Sequence, residues 1–359
     1  MFDGFSIKYT FVEYLKLFFL NNDIMKNSLF MPRKIIMSVI VICFPLLFLQ
    51  CKKDAAEEFK LKGGLRLHIM IDKPDTRDKT IKILFNRIES SGALFSYEWV
   101  KDKDYLLIEM PDVKDPERVL NMLIKNAELE FWETHDLANI FQSILEADEL
   151  LQSILPPETE DSAIDEFEKQ HPLLSKLKLA TISGTNQIFP GPVVGYVSKG
   201  DMEIVSNYMK MPEIKSLMPF DLIFKWSAKP MNEESEHYEL YALKKIGRTE
   251  DAFGGDIVEK AFVDKNEYET YVSLKMTSEA GRQWQRLTKE NVGKNIAIVV
   301  NGVVYSAPMV NSEITGGRSM ISGNFTHEEA KDLADMLNAG IMPAPIRIIH
   351  HEMVPPQKK

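Results

Sequence analysis

The chain has 359 residues, of which 45% are apolar and 27% are charged, a composition typical of a folded protein with room for two domains or one domain with a large insertion. Its formal net charge is −10 and it has no basic patch interleaved with aromatic residues, so we expect no nucleic-acid partner. Cys43 and Cys51 are its only cysteines, which excludes disulfides, thiolate metal sites and a cysteine nucleophile after position 51.

The first predicted element is a secretory signal peptide at residues 31–50. Arg33 and Lys34 precede a run of sixteen uncharged residues, 35–50, and two lysines follow Cys51. Sixteen helical residues span about 24 Å, less than the roughly 30 Å of a bilayer core. The pattern resembles a bacterial lipoprotein signal, in which cleavage before a cysteine exposes that cysteine for acylation. The resemblance implies lipid attachment at Cys51, with an uncleaved anchor or cleavage and release as the alternatives.

Two segments flank this signal. Residues 1–30 are expected to lie upstream of the true start of translation, at Met25 or Met31, and the alternative is a genuine amphipathic leader. Residues 51–60 are polar and predict a tether between the membrane and a folded body.

The first block, residues 61–134, alternates strands and helices. Its hydrophobic periodicity predicts a strand, a helix, a hairpin, a helix and a strand at residues 65–72, 76–91, 94–110, 115–126 and 129–133. Asp115 and Pro116 form a typical helix start, with the aspartate as cap and the proline at the first position.

The middle segment, residues 135–245, has a different composition, and we expect a compact insertion with its own small core. The pattern predicts helices at 139–155 and 201–211 and strands at 193–197, 221–226 and 238–243. Four of its five methionines, at 202, 209, 211 and 218, are typical either of a promiscuous contact surface or of simple core packing. Residues 156–169 are acidic and predict a solvated loop, since they lack the spacing and the glycine of a calcium-binding loop.

The second block, residues 246–354, repeats the alternation before a short tail at 355–359. Strands are predicted at 257–263, 270–276, 296–300, 303–306 and 346–352, and helices at 279–290 and 326–340. Asn301-Gly302 is the strongest hairpin signal in the chain, and Thr326 with Glu329 fits a capping box. Two such blocks around an insertion predict an α+β fold, with a ferredoxin-like split βαβ base formed by two sequence-distant halves and an inserted α+β head subdomain.

A search for chemistry predicts no catalytic, cofactor or metal site. His350 and His351 are neighbours on a strand, so their side chains would point to opposite faces. His327 lacks the second histidine that a zinc-protease helix needs, and no nucleophile elbow, phosphate loop or dinucleotide fingerprint occurs. We therefore expect a binding protein and not an enzyme, with open sheet edges able to add a strand from an unfolded polypeptide.

Several stretches resemble the SecD family. In the second block they are residues 254–258 (GGDIV), 297–300 (AIVV), 304–308 (VYSAP), 316–319 (GGRS), 321–325 (ISGNF), 329–334 (EAKDLA) and 337–345 (LNAGIMPAP). In the first block and the middle they are residues 61–64 (LKGG), 111–119 (PDVKDPERV), 129–133 (LEFWE), 194–196 (VGY) and 240–243 (LYAL). The resemblance covers about residues 59–354, the first large periplasmic domain of that family, and Lys60 stands where the family has an aspartate.

This resemblance implies a periplasmic domain that contacts preproteins leaving the SecYEG channel. We expect a lipoprotein on the periplasmic side of a bacterial membrane, inner or outer, with unfolded preproteins as clients and SecYEG or SecF-type components as partners. No apolar run follows the signal, so we expect no proton-driven motor activity. The alternative is an envelope structural or assembly lipoprotein that keeps the fold without the Sec connection.

Overall fold

The structure is a computed structural model that describes residues 55–126, 128–155, 166–182, 184–185, 187–232, 236–245, 253–254 and 256–357. Cys51, the predicted signal peptide, the upstream segment and most of the acidic loop lie outside these residues. No helix within them is both long enough and apolar enough to cross a bilayer.

The described residues contain nine α-helices and fifteen strands in a mixed arrangement. The helices are α1 (residues 55–62), α2 (Arg77–Ser90), α3 (Pro116–Ile124), α4 (Leu137–Ile154), α5 (Glu166–Gln170), α6 (Met202–Lys210), α7 (Pro212–Leu217), α8 (Ser278–Glu290) and α9 (His327–Ala339). The strands are β1 (Gly64–Ile71), β2 (Ser96–Val100), β3 (Tyr105–Pro111), β4 (Leu129–Thr134), β5 (Lys178–Leu179), β6 (Val193–Ser198), β7 (Leu222–Pro230), β8 (His237–Lys244), β9 (Phe253–Gly254), β10 (Val258–Lys265), β11 (Thr270–Met276), β12 (Ile296–Val300), β13 (Val303–Ser306), β14 (Arg318–Ile321) and β15 (Ile346–Val354). The predicted α+β class is confirmed.

The helix ends follow the predicted capping chemistry. The Asp115 carboxylate accepts a hydrogen bond from the Arg118 backbone N–H at 3.0 Å. Thr326 and Glu329 form the predicted capping box, each accepting from the other's backbone N–H. These side chains satisfy backbone donors that have no partner within the helix.

The described part of the predicted tether is helical and packs against the folded body. Residues 55–62 form helix α1, and Ala55 and Phe59 are buried. The guanidinium of Arg66 lies 5.6 Å from the centre of the Phe59 ring, and the backbone carbonyl of Lys60 accepts a hydrogen bond from the Gln357 N–H. Helix α1 packs on the body because Phe59 is buried against an apolar surface and contacts the Arg66 cation of β1.

A four-stranded antiparallel sheet joins the two ends of the chain, with strand order β15-β1-β3-β2. Gly63 and Gly64 stand at its entrance with φ angles of +68° and +150°. A Cβ atom on Gly64 would lie closer than 3.0 Å to the Met110 carbonyl oxygen, and one on Gly63 would meet Val354 in the same way. The Gly-Gly pair therefore lets β3 and β15 approach β1 closely.

The largest sheet has the strand order β5-β6-β8-β7-β13-β12-β4-β9, and β8 also pairs with β4. Strands β4, β8, β7, β13 and β12 consequently form a closed ring. At two places, its neighbouring strands share few residue pairs. Ser227 and Val304 pair between β7 and β13, and two residue pairs join β4 to β8. A third, three-stranded sheet has the order β10-β11-β14.

Three apolar clusters fill these layers. The largest packs the four-stranded and three-stranded sheets against α2, α3, α8 and α9. The second takes all its buried members from residues between Leu137 and Ala242. The third is small and takes side chains from every strand of the ring, namely Trp132, Tyr241, Leu243, Ala297, Val299, Val304 and the partly buried Ile223.

Arg87 is a fully buried cation that ties the two sequence-distant blocks together. Its guanidinium donates to the carbonyl oxygens of Met122, Leu123 and Lys125 at the end of α3, and to that of Gly340 after α9. Burial lowers the pKa of Arg87 to about 10, so it stays protonated at neutral pH. Carbonyl groups at a helix C-terminus favour a cation, and Arg87 donates hydrogen bonds to the C-terminal ends of both α3 and α9.

Candidate functional site

A groove of about 720 Å³ lies between α6, α7 and the strands β4 and β7. Its size falls within the range of pockets that bind ligands in proteins. Five consecutive residues, 222–226 of β7, line it. Neighbouring residues of a strand point to opposite faces, so a groove lined by all five runs along the edge of β7.

That edge is open. Residues 222–226 pair with β8 on one side of β7. On the other side, the only strand pairing of β7 within the described residues joins Ser227 to Val304. Strands β7 and β13 run parallel, and β13 begins only at Val303. Residues 222–226 of β7 therefore precede this pairing, and their backbone groups face the groove.

The walls are apolar and aromatic. Phe224 and Trp226 of β7 pack on the second apolar cluster, and the Trp226 Nε1–H donates to Ser206 Oγ on α6 at 3.0 Å. On the opposite wall, the Trp132 Nε1–H donates to Glu130 Oε2 at 3.1 Å. Both indole N–H groups are thus satisfied, which fixes the rings as firm apolar surfaces.

Phe220 stands at the rim of the groove and is 93% exposed. It lies in the short loop between α7 and β7, after Pro219, and no aromatic neighbour covers it within the described residues. A large apolar side chain beside an apolar groove is typical of a contact surface.

The charged residues of the groove are four lysines and one glutamate, namely Lys210, Lys215, Lys225, Lys245 and Glu130. The Lys225 ammonium lies 5.3 Å from the centre of the Trp132 ring. No ion pair within the described residues includes Lys210, Lys215 or Lys225. The groove is therefore cationic, although the whole chain carries a net charge of −10.

The four methionines at 202, 209, 211 and 218 divide between the two roles that the sequence left open. Met202 and Met211 pack against the second apolar cluster and do not line the groove. Met209 and Met218 pack on the same cluster and also line the groove. The sequence missed Phe220 and the lysines, because neither an exposed aromatic residue nor scattered lysines carry a periodic signal.

The predicted lipid site at Cys51 lies outside the described residues and stays a prediction. His350 lies against His68, with ring centres 5.1 Å apart, at the surface of the four-stranded sheet. Within the part of the chain that the structure describes, no group of three or more histidine, cysteine or carboxylate side chains is placed to hold a metal ion.

Comparison with known proteins supplies the family. Residues 231–344 match the family model described as "SecDF, P1 head subdomain", and residues 77–136 match "Protein translocase subunit SecDF, P1 domain, N-terminal". The protein translocase subunit SecD of Rhodothermus marinus is 30% identical over 290 residues, which is 78% of this chain and 46% of that protein. The chain carries a SecD-family P1 domain. The match at 231–344 begins inside our predicted head and covers most of the predicted second half of the base, so those domain boundaries stay predictions.

Other relatives of this SecD-family domain share the same name. The protein translocase subunit SecD of Calditerrivibrio nitroreducens is 26% identical over 279 residues, covering 78% of this chain and 41% of that protein. The chain spans about half the length of the curated relatives that it matches. We therefore treat the activity and the partners of those longer proteins as proposals for this chain.

Two solved SecDF structures are also similar. The crystal structure of SecDF in its super-membrane-facing form gives a TM-score of 0.44 at 22% identity, covering 89% of this chain and 35% of that one. A structure of SecDF described as a membrane component that enhances protein export gives a TM-score of 0.41 at 19% identity, covering 79% and 98%.

Proposed function

We propose that the chain is a SecD-like accessory of protein export that binds segments of translocating or newly exported polypeptide in the groove beside β7. The role is binding and not catalysis. Membership of the SecD family supports the export setting. The open edge of β7 within an apolar groove is the observation that carries the proposal, because such an edge can accept one more strand from an extended chain.

The proposed architecture is a ferredoxin-like base with an inserted head. The strand order β15-β1-β3-β2 supports the base, since the run β1-α2-β2-β3-α3 takes its last strand from the far end of the chain. The second apolar cluster, drawn from residues between Leu137 and Ala242, supports a head with its own core.

The proposed setting is the periplasmic side of a bacterial membrane, with a lipid on Cys51 as the anchor and SecYEG or SecF-type components as partners. Two or three acyl chains at one cysteine suffice for stable attachment. Mass spectrometry of the mature protein tests the anchor. A free N-terminus away from position 51 would refute it.

The binding test uses the full chain and a reduced, carboxymethylated lactalbumin as an unfolded polypeptide, with native lactalbumin as the folded comparison. We expect the unfolded form to bind and Phe220→Ser to weaken it about tenfold, because an exposed aromatic at the rim acts as an anchor. Tyr268→Ser is the matched control, since Tyr268 is 92% exposed and does not line the groove. Neither substitution should change the free energy of unfolding by more than about 0.5 kcal/mol.

Wild-type affinity in the Phe220→Ser variant would contradict the assignment of the groove. The export setting needs a separate experiment in cells, with a photo-crosslinker at position 220 and a preprotein arrested in the SecYEG channel. A crosslink to the arrested chain supports the proposal. Crosslinks only to folded envelope proteins would favour the envelope-assembly alternative.

A further inference from the structure

The structure assigns a charge preference to the groove: we infer that it selects extended apolar segments that also carry aspartate or glutamate. This inference rests on the proposed function, because it names the class of polypeptide that the same groove takes. The observation behind it is the lining, in which four lysines face a single glutamate.

Glu130 keeps its negative charge, but the lysines of the lining outnumber it. Glu130 Oε2 accepts the indole N–H of Trp132, and no ion pair within the described residues includes Lys210, Lys215 or Lys225. Like charges around one groove repel each other, so the cluster does not serve the stability of the free protein. In a chain whose formal net charge is −10, composition alone does not account for a local excess of cations.

Three of the four lysines also have a structural explanation that involves no ligand. Lys210 and Lys215 lie in the last turns of α6 and α7, where a cation interacts favourably with the helix dipole. Lys225 lies in a strand, so no helix dipole accounts for it. A lysine on an open edge strand discourages pairing with another copy, and that role predicts a change in solubility with no change in ligand preference.

The position of Lys225 favours a ligand role. Its ammonium sits over the Trp132 ring, at 5.3 Å from the ring centre, and so lies against the wall of the groove. A strand added to the edge of β7 presents alternate side chains to two faces. One face meets Ile223 and Lys225, and the other meets Phe224 and Trp226. A segment of apolar residues interspersed with carboxylates matches both faces, whereas a basic segment places like charges together.

The test compares three short peptides that share one apolar pattern and carry Glu, Gln or Lys at the remaining positions. Fluorescence anisotropy with the full chain measures their affinities. We expect the Glu peptide to bind about tenfold more tightly than the Lys peptide at low salt, with the Gln peptide between them. Raising the salt to about 1 M should shrink the difference to about twofold, because exposed charges are screened.

A triple variant, Lys210→Gln, Lys215→Gln and Lys225→Gln, should bring the Glu and Lys peptides within about twofold of each other. The matched control replaces Lys79, Lys82 and Lys289 by glutamine, three exposed lysines that do not line the groove. The control should keep the wild-type preference. A control that loses as much preference as the groove variant would overturn the inference, since net charge alone would then explain it.

The outcomes separate the two proposals. Equal affinity for all three peptides in the wild-type chain, with binding that still depends on Phe220, would overturn the charge preference and leave the proposed function standing. No binding of any peptide would overturn the proposed function itself. The wild-type comparison and its salt dependence decide the inference even if the triple variant does not fold.

Discussion

Strands β1 and β7 are both interior strands of their sheets, yet their edges are used differently. Strand β1 pairs with β15 along its whole length and with β3 from Gly64 to Ile69, and its side chains Leu65, Leu67 and Ile69 are fully buried. Along residues 222–226, strand β7 has a strand partner on one edge only within the described part of the chain, and those residues are half-buried. The pairing of β1 on both edges contributes stability, whereas the open edge of β7 leaves backbone groups available to a partner.

The largest expected effect on stability comes from preventing the close approach of β3 to β1. Gly64→Val places a Cβ atom closer than 3.0 Å to the Met110 carbonyl oxygen at a φ of +150°, and neither backbone can move aside without breaking the sheet. We expect a loss of at least about 4 kcal/mol in the free energy of unfolding, measured by urea denaturation.

Gly200→Ala is its control, because the nearest atom to a Cβ there is Ser198 Oγ at 3.9 Å. That variant should be unchanged or up to about 1 kcal/mol more stable. A Gly64→Val variant with a wild-type midpoint would show that the close approach of β3 is not needed.

A smaller loss is expected from Arg87→Met, which keeps the apolar stem and removes the guanidinium. Four carbonyl oxygens at the ends of α3 and α9 lose their buried donor, which should cost about 3 kcal/mol. Arg286→Met is the comparison, since Arg286 is exposed and its only ion pair within the described residues is with Glu290 on its own helix. Equal losses in the two variants would mean that Arg87 does not join the two blocks.

The smallest effect concerns the far end of β7. The Lys229 ammonium lies 2.7 Å from Glu329 Oε2 and 2.8 Å from the Asn324 carbonyl oxygen, so it fastens β7 to the start of α9. Both side chains are partly exposed, and a double-mutant cycle of Lys229→Met with Glu329→Gln should give a coupling of about 0.5 kcal/mol at neutral pH.

The coupling should also depend on pH in a stated direction. Burial raises the pKa of Glu329, but hydrogen bonds from Lys229 and from the Thr326 backbone outweigh it, so the pKa lies below the ordinary value of 4.5. The stabilisation is therefore present above that value and is lost as the pH falls through the lowered pKa. Urea denaturation of the four proteins at several pH values measures it, and a coupling that grows on acidification would contradict the assignment.

Features that depend on a few neighbouring residues could be predicted from the sequence alone. The Asp115-Pro116 helix start, the Thr326 capping box and the turn at Asn301-Gly302, where both φ angles are positive, follow from local hydrogen bonds and allowed backbone angles. Alternation of apolar residues was enough to predict β1 and β3, because one face of each strand meets an apolar core.

Which strand edges are paired and which stay open depends on contacts between distant parts of the chain. Arg66 meets Glu352 across 286 positions of the chain, and no local signal predicts that β15 completes the sheet around β1. The same holds for the packing of helix α1, which overlaps the predicted tether, and for strand β14, which the sequence did not predict. The groove beside β7 arises because β13 begins at Val303, so that residues 222–226 have no second strand partner among the described residues, an outcome of pairing between distant segments. Phe220 and the four lysines become a site only at that edge.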